Sequence, residues 1–540
     1  MNPEIKTCPS AGLNGWQQSL LAGISGLLLS LPLVDKDYYV CLWFAFVPFL
    51  WAIRSVGLLR AYCLGMLCGV VFSASAAYWV VDFLMLSKAY NLANSIIWAF
   101  VFWLYSAQLL AGLALSYVWL RKHSQMHEFI VFPLLIVAFF ALFPLLFPVR
   151  LGESQSQFLT ALQAIEFTGV YGLDGIIALT NILLFRGLMD VFVGPKNNRF
   201  WPYLLGVFPL IAWFSYGWVS LSHWQVSVAK ADSQPMGLVQ PNELPTLEKP
   251  SPYPGYSWSH PPEMAMTERL SQAGAEWVIW PEAKYKAYFD QAQVGSAFRQ
   301  QVKRFGTRLI FQDIEHERRT DNRWPDNQAP GTLKYNTALM IDEQGRELGK
   351  YQKMKRIPFG EYVPLVSDVP VLKQWVEGFF GKFLNEMAKG QTHQSFHHDG
   401  LSLIPLICYE VMFPEFVASA VTAAQQDKPG RRVLLGLSSN AWFGDTQQPY
   451  QHVNASILRA VENRSTLIHV VNNGPSIVAL PTGEVSFVTD FQQAGGYLVD
   501  VPIVEGDPPT LFTRYPQGFI FSVYSFLFII FIQALLRRRN

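Results

Sequence analysis

Charged residues are scarce in this sequence: they make up 15% of its 540 residues, whereas hydrophobic residues make up 51%. A chain of this composition is too apolar for an average soluble protein, and its length exceeds that of one ordinary domain. Basic residues exceed acidic ones by a single charge, and the polar region carries no basic stripe. The near-balance argues against a nucleic-acid-binding protein, and the composition predicts a membrane protein.

Cysteine is also rare. Of five cysteines, Cys8, Cys41, Cys63 and Cys68 lie in the N-terminal half, which leaves Cys408 alone in its region. This distribution excludes a disulfide framework around Cys408, and no CxxC or His/Cys spacing indicates zinc. No metal or dissociable cofactor is expected.

Long apolar runs are what the sequence has in abundance. A bilayer-spanning helix needs about 20 residues, and eight runs approach or reach that length: Trp16 to Val34, Tyr38 to Ile53, Ala61 to Leu86, Ile96 to Leu120, Phe129 to Phe147, Leu173 to Val193, Trp201 to Leu221 and Phe519 to Leu536. Basic residues favour the cytoplasmic side, and most of those in the short loops and tails, including Arg537, fall on one side of an eight-span alternation. Both termini are therefore predicted to be cytoplasmic, with the large insertion on the far side of the membrane.

The insertion is polar and has the periodicity of an α/β domain. We divide the chain into a membrane domain (1–221), a catalytic domain (222–510) and an eighth span with a basic tail (511–540). Strand-like runs, the first at Gln225 to Ala229, alternate with helical ones such as Pro262 to Ala273 and His452 to Glu462. Crossovers are mixed with hairpins, so a single α/β domain is predicted.

Three polar residues follow apolar strands in this domain: Glu282, Cys408 and Asn440. Cys408 is predicted to lie on a strand-to-helix turn, where α/β folds place reactive groups. Lys353 precedes a Pro/Gly-rich loop. A buried structural thiol is the plainer interpretation of Cys408 alone. Together, however, Glu282 as base, Lys353 as a cation for the oxyanion and Cys408 as nucleophile supply what acyl transfer through a thiol needs.

Further residues surround these three. Glu361 and Glu410 are predicted to hold Lys353 charged and oriented, although each alone reads as a structural hydrogen-bond partner. Phe359 and Trp442 belong to aromatic-rich loops. Those loops are interpreted with even weight as ordinary packing or as an apolar rim that guides an acyl chain.

At these positions the sequence resembles the bacterial apolipoprotein N-acyltransferases. The motifs are Trp280-Pro281-Glu282, Tyr351-Gln352-Lys353, the run from Pro358 to Pro364, Cys408-Tyr409-Glu410 and Asn440-Ala441-Trp442-Phe443-Gly444-Asp445. The resemblance covers nearly the whole chain. It implies an eight-span membrane domain with an inserted nitrilase-like (carbon-nitrogen hydrolase) αββα sandwich outside the cytoplasmic membrane, and it implies that Tyr409 also matters.

The implied reaction is ping-pong. An acyl chain passes from a membrane phospholipid to Cys408 as a thioester, and then to the α-amine of the diacylglyceryl-cysteine at a lipoprotein N-terminus. We expect a monomer in the bacterial inner membrane, with the catalytic domain in the periplasm. The sequence departs from the family's usual residues at Ser438-Ser439-Asn440, Pro241 and Val149, which bears on substrate preference more than on chemistry.

Two other functions fit parts of the sequence. A membrane-anchored amidase or nitrilase would pass the acyl group from Cys408 to water, but it gains nothing evident from eight spans. A transporter or sensor with an outer binding domain would have no use for the Glu-Lys-Cys set, and the spans lack broken repeat pairs with charges at the membrane midplane.

Overall fold

The computed structural model describes residues 13–193, 201–244, 251–282, 285–318, 332–358, 360–363, 366, 369, 371–372, 374–375, 387–505 and 508–539. Its N-terminal part is a bundle of apolar helices: α1 (Gly15–Val34), α2 (Val47–Ile53), α3 (Leu58–Ala76), α4 (Val80–Lys88), α5 (Leu92–His123), α6 (Glu128–Leu142), α7 (Leu159–Leu162), α8 (Ile165–Thr168), α9 (Val170–Val193) and α10 (Trp201–Ala229). Short 3₁₀ segments span Lys36–Trp43 and Leu151–Gln155.

Each of the eight predicted spans corresponds to apolar helix in the structure. Counting the Lys36–Ile53 pair as one, seven helices within the described residues are long and apolar enough to cross a membrane, and α6 is a shorter apolar helix. The spans pack through small residues. A Cβ on Gly65 or Gly69 of α3 would lie 2.7 Å from backbone atoms of Ala111 or Ala107 on α5, so only glycine permits this approach.

Two sequence predictions were wrong in this region. The predicted span Ala61 to Leu86 is two helices, because α3 ends at Ala76 and α4 begins at Val80. The indole N–H of Trp103 donates to the Ala77 carbonyl at this break (3.0 Å), which satisfies a carbonyl that the interrupted helix leaves free. The predicted strand Gln225 to Ala229 is instead the last turn and a half of α10, so the helix passes through the predicted boundary at residue 221. The domain division itself stays a prediction.

Within the described residues, the catalytic domain contains two six-stranded sheets. Its strands are β1 (Asp232–Gln240), β2 (Trp277–Ile279), β3 (Arg308–Arg318), β4 (Thr332–Ile341), β5 (Glu347–Gln352), β6 (Phe396–His398), β7 (Leu401–Ile407), β8 (Arg431–Ser438), β9 (Thr466–Val471), β10 (Ile477–Ala479), β11 (Val485–Val488) and β12 (Gly495–Ile503). The strand orders are β12-β1-β2-β3-β4-β5 and β11-β10-β9-β8-β7-β6. β1, β2 and β3 pair in parallel, as do β7, β8 and β9, and antiparallel strands complete each sheet.

The sheets pack face to face, and helices cover both outer faces. Met236, Ile279, Leu403 and Leu435 belong to one buried apolar cluster between the sheets. α11 (Pro262–Gln272) and α12 (Ala292–Phe305) cover the first sheet. α13 (Pro414–Asp427) and α14 (Gln448–Asn463) cover the second. The order of layers is helix, sheet, sheet, helix, as expected.

The outer helices of the second sheet rest on the membrane helices. Val417 and Leu458 share a buried cluster with side chains of the bundle. Gln451 on α14 donates to the carbonyls of Leu33 and Ala76, at 2.9 Å each, where α1 and α3 end. The chain returns through α15 (Leu511–Arg514) to the last apolar helix, α16 (Gly518–Arg539). The catalytic domain is therefore held against the ends of the spans.

Candidate active site

Cys408 lies where β7 ends and a 3₁₀ turn, Cys408–Met412, begins. All seven residues of β7 are buried, so the strand is fixed in the core. Cys408 has φ +51°, a left-handed conformation that is uncommon for a residue other than glycine. Such strain persists only where the surroundings enforce it. The thiol is thereby presented at the edge of the sheet, as the sequence predicted.

Glu282 and Lys353 meet at this edge. Lys353 follows β5 and is 1% exposed, and its Nζ lies 3.6 Å from Glu282 Oε1 and 2.8 Å from Glu361 Oε1. Glu282 follows β2, and its carboxylate lies close enough to the Cys408 thiol to raise the pKa of that thiol. The structure therefore brings together the three residues that sequence reasoning proposed, although their roles stay a prediction.

The protonation states of Cys408 and Lys353 follow from their surroundings. Burial raises the pKa of the Cys408 thiol well above its usual value, and the carboxylate of Glu282 raises it further, while Lys353 lowers it. Burial lowers the pKa of Lys353, but Glu282 and Glu361 raise it by more, so the net shift is upward. The resting site therefore holds a neutral thiol and a charged ammonium, and the thiol needs a base before it can attack.

Glu361 fixes the lysine. Its Oε1 accepts from Lys353 Nζ, and its Oε2 accepts from the backbone N–H of Ile357 (2.8 Å). The second bond holds the carboxylate to the loop that follows Lys353. Glu361 thus contacts the ammonium from a fixed position, and its supporting role stays a prediction.

Glu410 connects the lysine loop to the cysteine turn. Its Oε1 accepts from the Tyr351 hydroxyl (2.8 Å) and from the N–H groups of Met354 (2.6 Å) and Lys355 (3.0 Å), and its Oε2 accepts from Ile407 N–H (2.8 Å). The side chain is fully buried, and burial raises its pKa to about 7, while the four donors oppose that shift. One carboxylate thus fixes the backbone on both sides of the site.

The remaining predicted residues have different surroundings. The hydroxyl of Tyr409 donates to the Leu146 carbonyl of the membrane domain (2.5 Å). Asn440 is fully buried beside His452. Trp442 packs against the aromatic cluster of α4. The neighbouring Phe443 lines a cavity beside Cys408, and Trp442 does not. Phe359 lies outside the described residues.

A cavity leads from Cys408 into the membrane domain. It has about 1100 Å³ of unoccupied space, its mouth included. Side chains of α3 and α5 form its apolar walls, among them Phe72, Ala76, Phe102 and Leu109. Cys408, Asn440 and His452 line it from the catalytic domain. An apolar cavity with few polar groups suits a hydrocarbon chain.

Sequence reasoning missed two polar neighbours of the site. Asn336 on β4 donates to Glu282 Oε1 (2.6 Å). His452 contacts the Cys408 carbonyl (3.1 Å). Asn336 lies within a strand and gives no local signal, whereas His452 begins a predicted helix that faces the second sheet. Within the described part of the chain, no group of three or more His, Cys, Asp or Glu side chains could hold a metal ion.

Comparisons with family models match two separate parts of the chain. Residues 25–183 match the family model described as the apolipoprotein N-acyltransferase N-terminal domain, and residues 246–504 match the carbon-nitrogen hydrolase model. A protein from Geobacter metallireducens, named apolipoprotein N-acyltransferase, is 26% identical over 520 residues, covering 93% of this chain and 92% of its own. One from Brucella melitensis with the same name is 25% identical and covers 88% of each chain.

Other similarities cover the chain in part. A Pseudomonas aeruginosa protein, also named apolipoprotein N-acyltransferase, is 30% identical over 275 residues, which is 50% of this chain and 48% of its own. Among solved structures, an amidase of the nitrilase superfamily from Nesterenkonia AN1 matches with a TM-score of 0.35 and 19% identity, covering 51% of this chain and 92% of the amidase.

Proposed function

We propose, given that this chain belongs to the apolipoprotein N-acyltransferase family, that Glu282, Lys353 and Cys408 transfer an acyl chain from a membrane phospholipid to the α-amine of a diacylated lipoprotein. The protein is a multi-pass bacterial membrane acyltransferase. The pathway of the acyl group, the catalytic residues and the side of the membrane are the proposal.

One observation carries this proposal. The buried Cys408, which has Glu282 and Lys353 as charged neighbours, lines a cavity whose apolar walls are formed by membrane helices. A soluble amide substrate would need no such cavity. A phospholipid acyl chain, in contrast, can enter it from the bilayer and bring its ester carbonyl to the sulfur.

The first half-reaction forms a thioester. Glu282 takes the thiol proton, and the sulfur attacks the ester carbonyl of the phospholipid. Lys353 Nζ neutralises the oxyanion of the tetrahedral intermediate. The C–O bond then breaks, and the lysophospholipid leaves as an alcohol with the proton from Glu282. Asn336 donates to Oε1 of Glu282, the same oxygen that Lys353 faces. The carboxylate is therefore held in place through both proton transfers.

The second half-reaction uses the same groups in the same order. The neutral α-amine of the lipoprotein attacks the thioester carbonyl, and Lys353 again faces the oxyanion. The C–N bond forms, the C–S bond breaks and one amine proton passes to Glu282, which returns it to the departing sulfur.

The distribution of charge supports a periplasmic catalytic domain and cytoplasmic termini. The N-terminal half of α5 contributes Ala99 and Phe102 to the contact with the catalytic domain. Its C-terminal end carries Arg121, which donates to the Arg54 carbonyl (2.5 Å). The basic loops therefore share the end of the bundle away from the catalytic domain, and basic loops favour the cytoplasm.

The thioester itself can be tested by mass spectrometry. Purified protein incubated with phospholipid is expected to gain one acyl chain, which hydroxylamine removes. Cys408→Ala should gain none, whereas Cys63→Ala, which changes an exposed cysteine on α3, should behave like the parent. An acylated Cys408→Ala variant would show that another residue is the nucleophile.

A further inference from the structure

His452 joins the nucleophile to Asn440. Its Nε2 lies 3.1 Å from the Cys408 carbonyl oxygen, and its Nδ1 lies 3.2 Å from the side-chain amide of Asn440. Both side chains are buried, with 2% and 0% exposure, and both line the cavity beside Cys408. The His452 ring also packs edge-on against His469.

The protonation state of this histidine can be derived from its partners. A backbone carbonyl only accepts hydrogen bonds, so Nε2 must carry a proton. Burial lowers the pKa of His452 to about 4, and Lys353 lowers it as well, while the bond to Cys408 raises it. The ring is therefore neutral, and a neutral imidazole carries only one N–H. Nδ1 is left as an acceptor.

An accepting Nδ1 determines how the Asn440 amide is turned. The atom beside it must be the donor Nδ2, since two acceptors 3.2 Å apart would repel each other. The other atom of the amide then occupies the opposite position, where Nδ2 would have no hydrogen-bond partner. This leaves the amide oxygen as a buried acceptor without a partner, on a residue that lines the cavity.

We propose that His452 is a positioning residue that turns the Asn440 oxygen towards the cavity, where it accepts a hydrogen bond from the α-amine of the lipoprotein during attack on the thioester. This inference rests on the proposed function. A neutral primary amine has two N–H groups. One proton passes to Glu282 as the C–N bond forms and the C–S bond breaks, and the other, which the product amide keeps, bonds Asn440. The phospholipid ester has no such hydrogen, so Asn440 serves the second half-reaction.

The test measures the two half-reactions separately in Asn440→Leu and the parent. Adduct formation is followed with phosphatidylethanolamine alone, and transfer with a synthetic diacylated lipopeptide added to the preformed adduct. Loss of one buried hydrogen bond in the attacking state is expected to slow transfer about 10- to 100-fold more than adduct formation. Equal slowing of both steps, or unchanged transfer, would overturn the inference. No adduct on the parent would instead refute the proposed function.

A modified acceptor separates recognition of the amine from a structural effect. A lipopeptide with one methyl group on its α-nitrogen has a single N–H, which is the proton that must leave. Transfer to this acceptor should therefore be slowed by Asn440→Leu much less than transfer to the primary amine. An equal effect on both acceptors would show that the substitution only disturbs the fold of the site.

A second measurement observes the ring of His452 in the parent protein directly. The ¹⁵N spectrum of histidine-labelled parent protein reports which ring nitrogen carries the proton, and a His452→Gln sample identifies the signal. We expect His452 as the neutral Nε2–H tautomer at pH 7. A proton on Nδ1, with or without one on Nε2, would remove the reason for the amide orientation and overturn the inference.

Discussion

Replacement of Lys353 by methionine tests how the buried charges of the site are balanced. The ammonium lies 3.6 Å from Glu282 and 2.8 Å from Glu361. At an effective dielectric constant of about 20, unit charges at those separations attract by about 5 and about 6 kcal/mol. Desolvation of the three groups offsets most of this, and removal of one partner of a buried pair typically costs about 3–5 kcal/mol. Lys353→Met should lower the free energy of unfolding by that amount.

The same variant should also lose acyl transfer, for a separate reason. Removal of one group that stabilises an oxyanion slows catalysis by about 10²- to 10³-fold. Glu361→Gln in the Lys353→Met background removes one uncompensated carboxylate, so it should restore much of the stability but none of the adduct formation. Thermal unfolding in detergent measures the first quantity, and the time course of acylation by intact-protein mass spectrometry measures the second.

Lys350→Met is the matched control for Lys353→Met. Lys350 lies on β5, just before Lys353, is half exposed and pairs with Glu315, so Lys350→Met should change stability by less than about 1 kcal/mol and leave acylation unchanged. If the double variant regained acylation, Lys353 would serve only to neutralise Glu361, and its proposed contact with the oxyanion would be refuted.

Three further predictions concern other parts of the site. The Glu410→Gln side chain must turn its NH₂ group towards at least one of the four donors that the carboxylate accepts from. We therefore expect a loss of about 1–3 kcal/mol in unfolding free energy and slower acylation. A melting temperature equal to that of the parent would contradict this prediction. Because the pKa of Cys408 is raised, iodoacetamide should react with Cys408 ever faster as pH increases to 9, without a plateau; a plateau near pH 7 would refute this prediction. Ala76→Phe narrows the cavity, so acylation from long-chain donors should fall more than from short-chain donors, and equal loss would exclude Ala76 from the acyl path.

Much of the site could be predicted because its residues occupy strand ends. A polar residue directly after an apolar strand, such as Glu282 or Cys408, is conspicuous in the sequence, and the edges of packed sheets bring such positions together. Asn336 lies inside β4, where polar and apolar residues alternate without indicating a ligand. His452 reads as one residue of an amphipathic helix. Their contacts depend on packing between sheets and helices, which the sequence pattern does not contain.

The errors in the membrane domain have a similar cause. Apolar composition continues from Ala61 to Leu86, so the sequence gives no sign that the helix breaks after Ala76. The break depends on Trp103 and Gln451, which supply hydrogen bonds from distant parts of the chain. At Gln225 to Ala229, alternation of polar and apolar residues favours a strand, whereas the preceding helix simply continues. Contacts with distant residues thus determine the break after Ala76, and the preceding helix determines the conformation of Gln225 to Ala229.

The fate of the acyl group tests the central claim most directly. Purified protein is incubated with phospholipid and a synthetic diacylated lipopeptide, and the products are analysed by mass spectrometry. The proposed function predicts a lipopeptide that has gained one amide-linked acyl chain, with an equal amount of lysophospholipid. Release of free fatty acid with an unchanged lipopeptide would show that water, and not the lipoprotein amine, accepts the acyl group from Cys408.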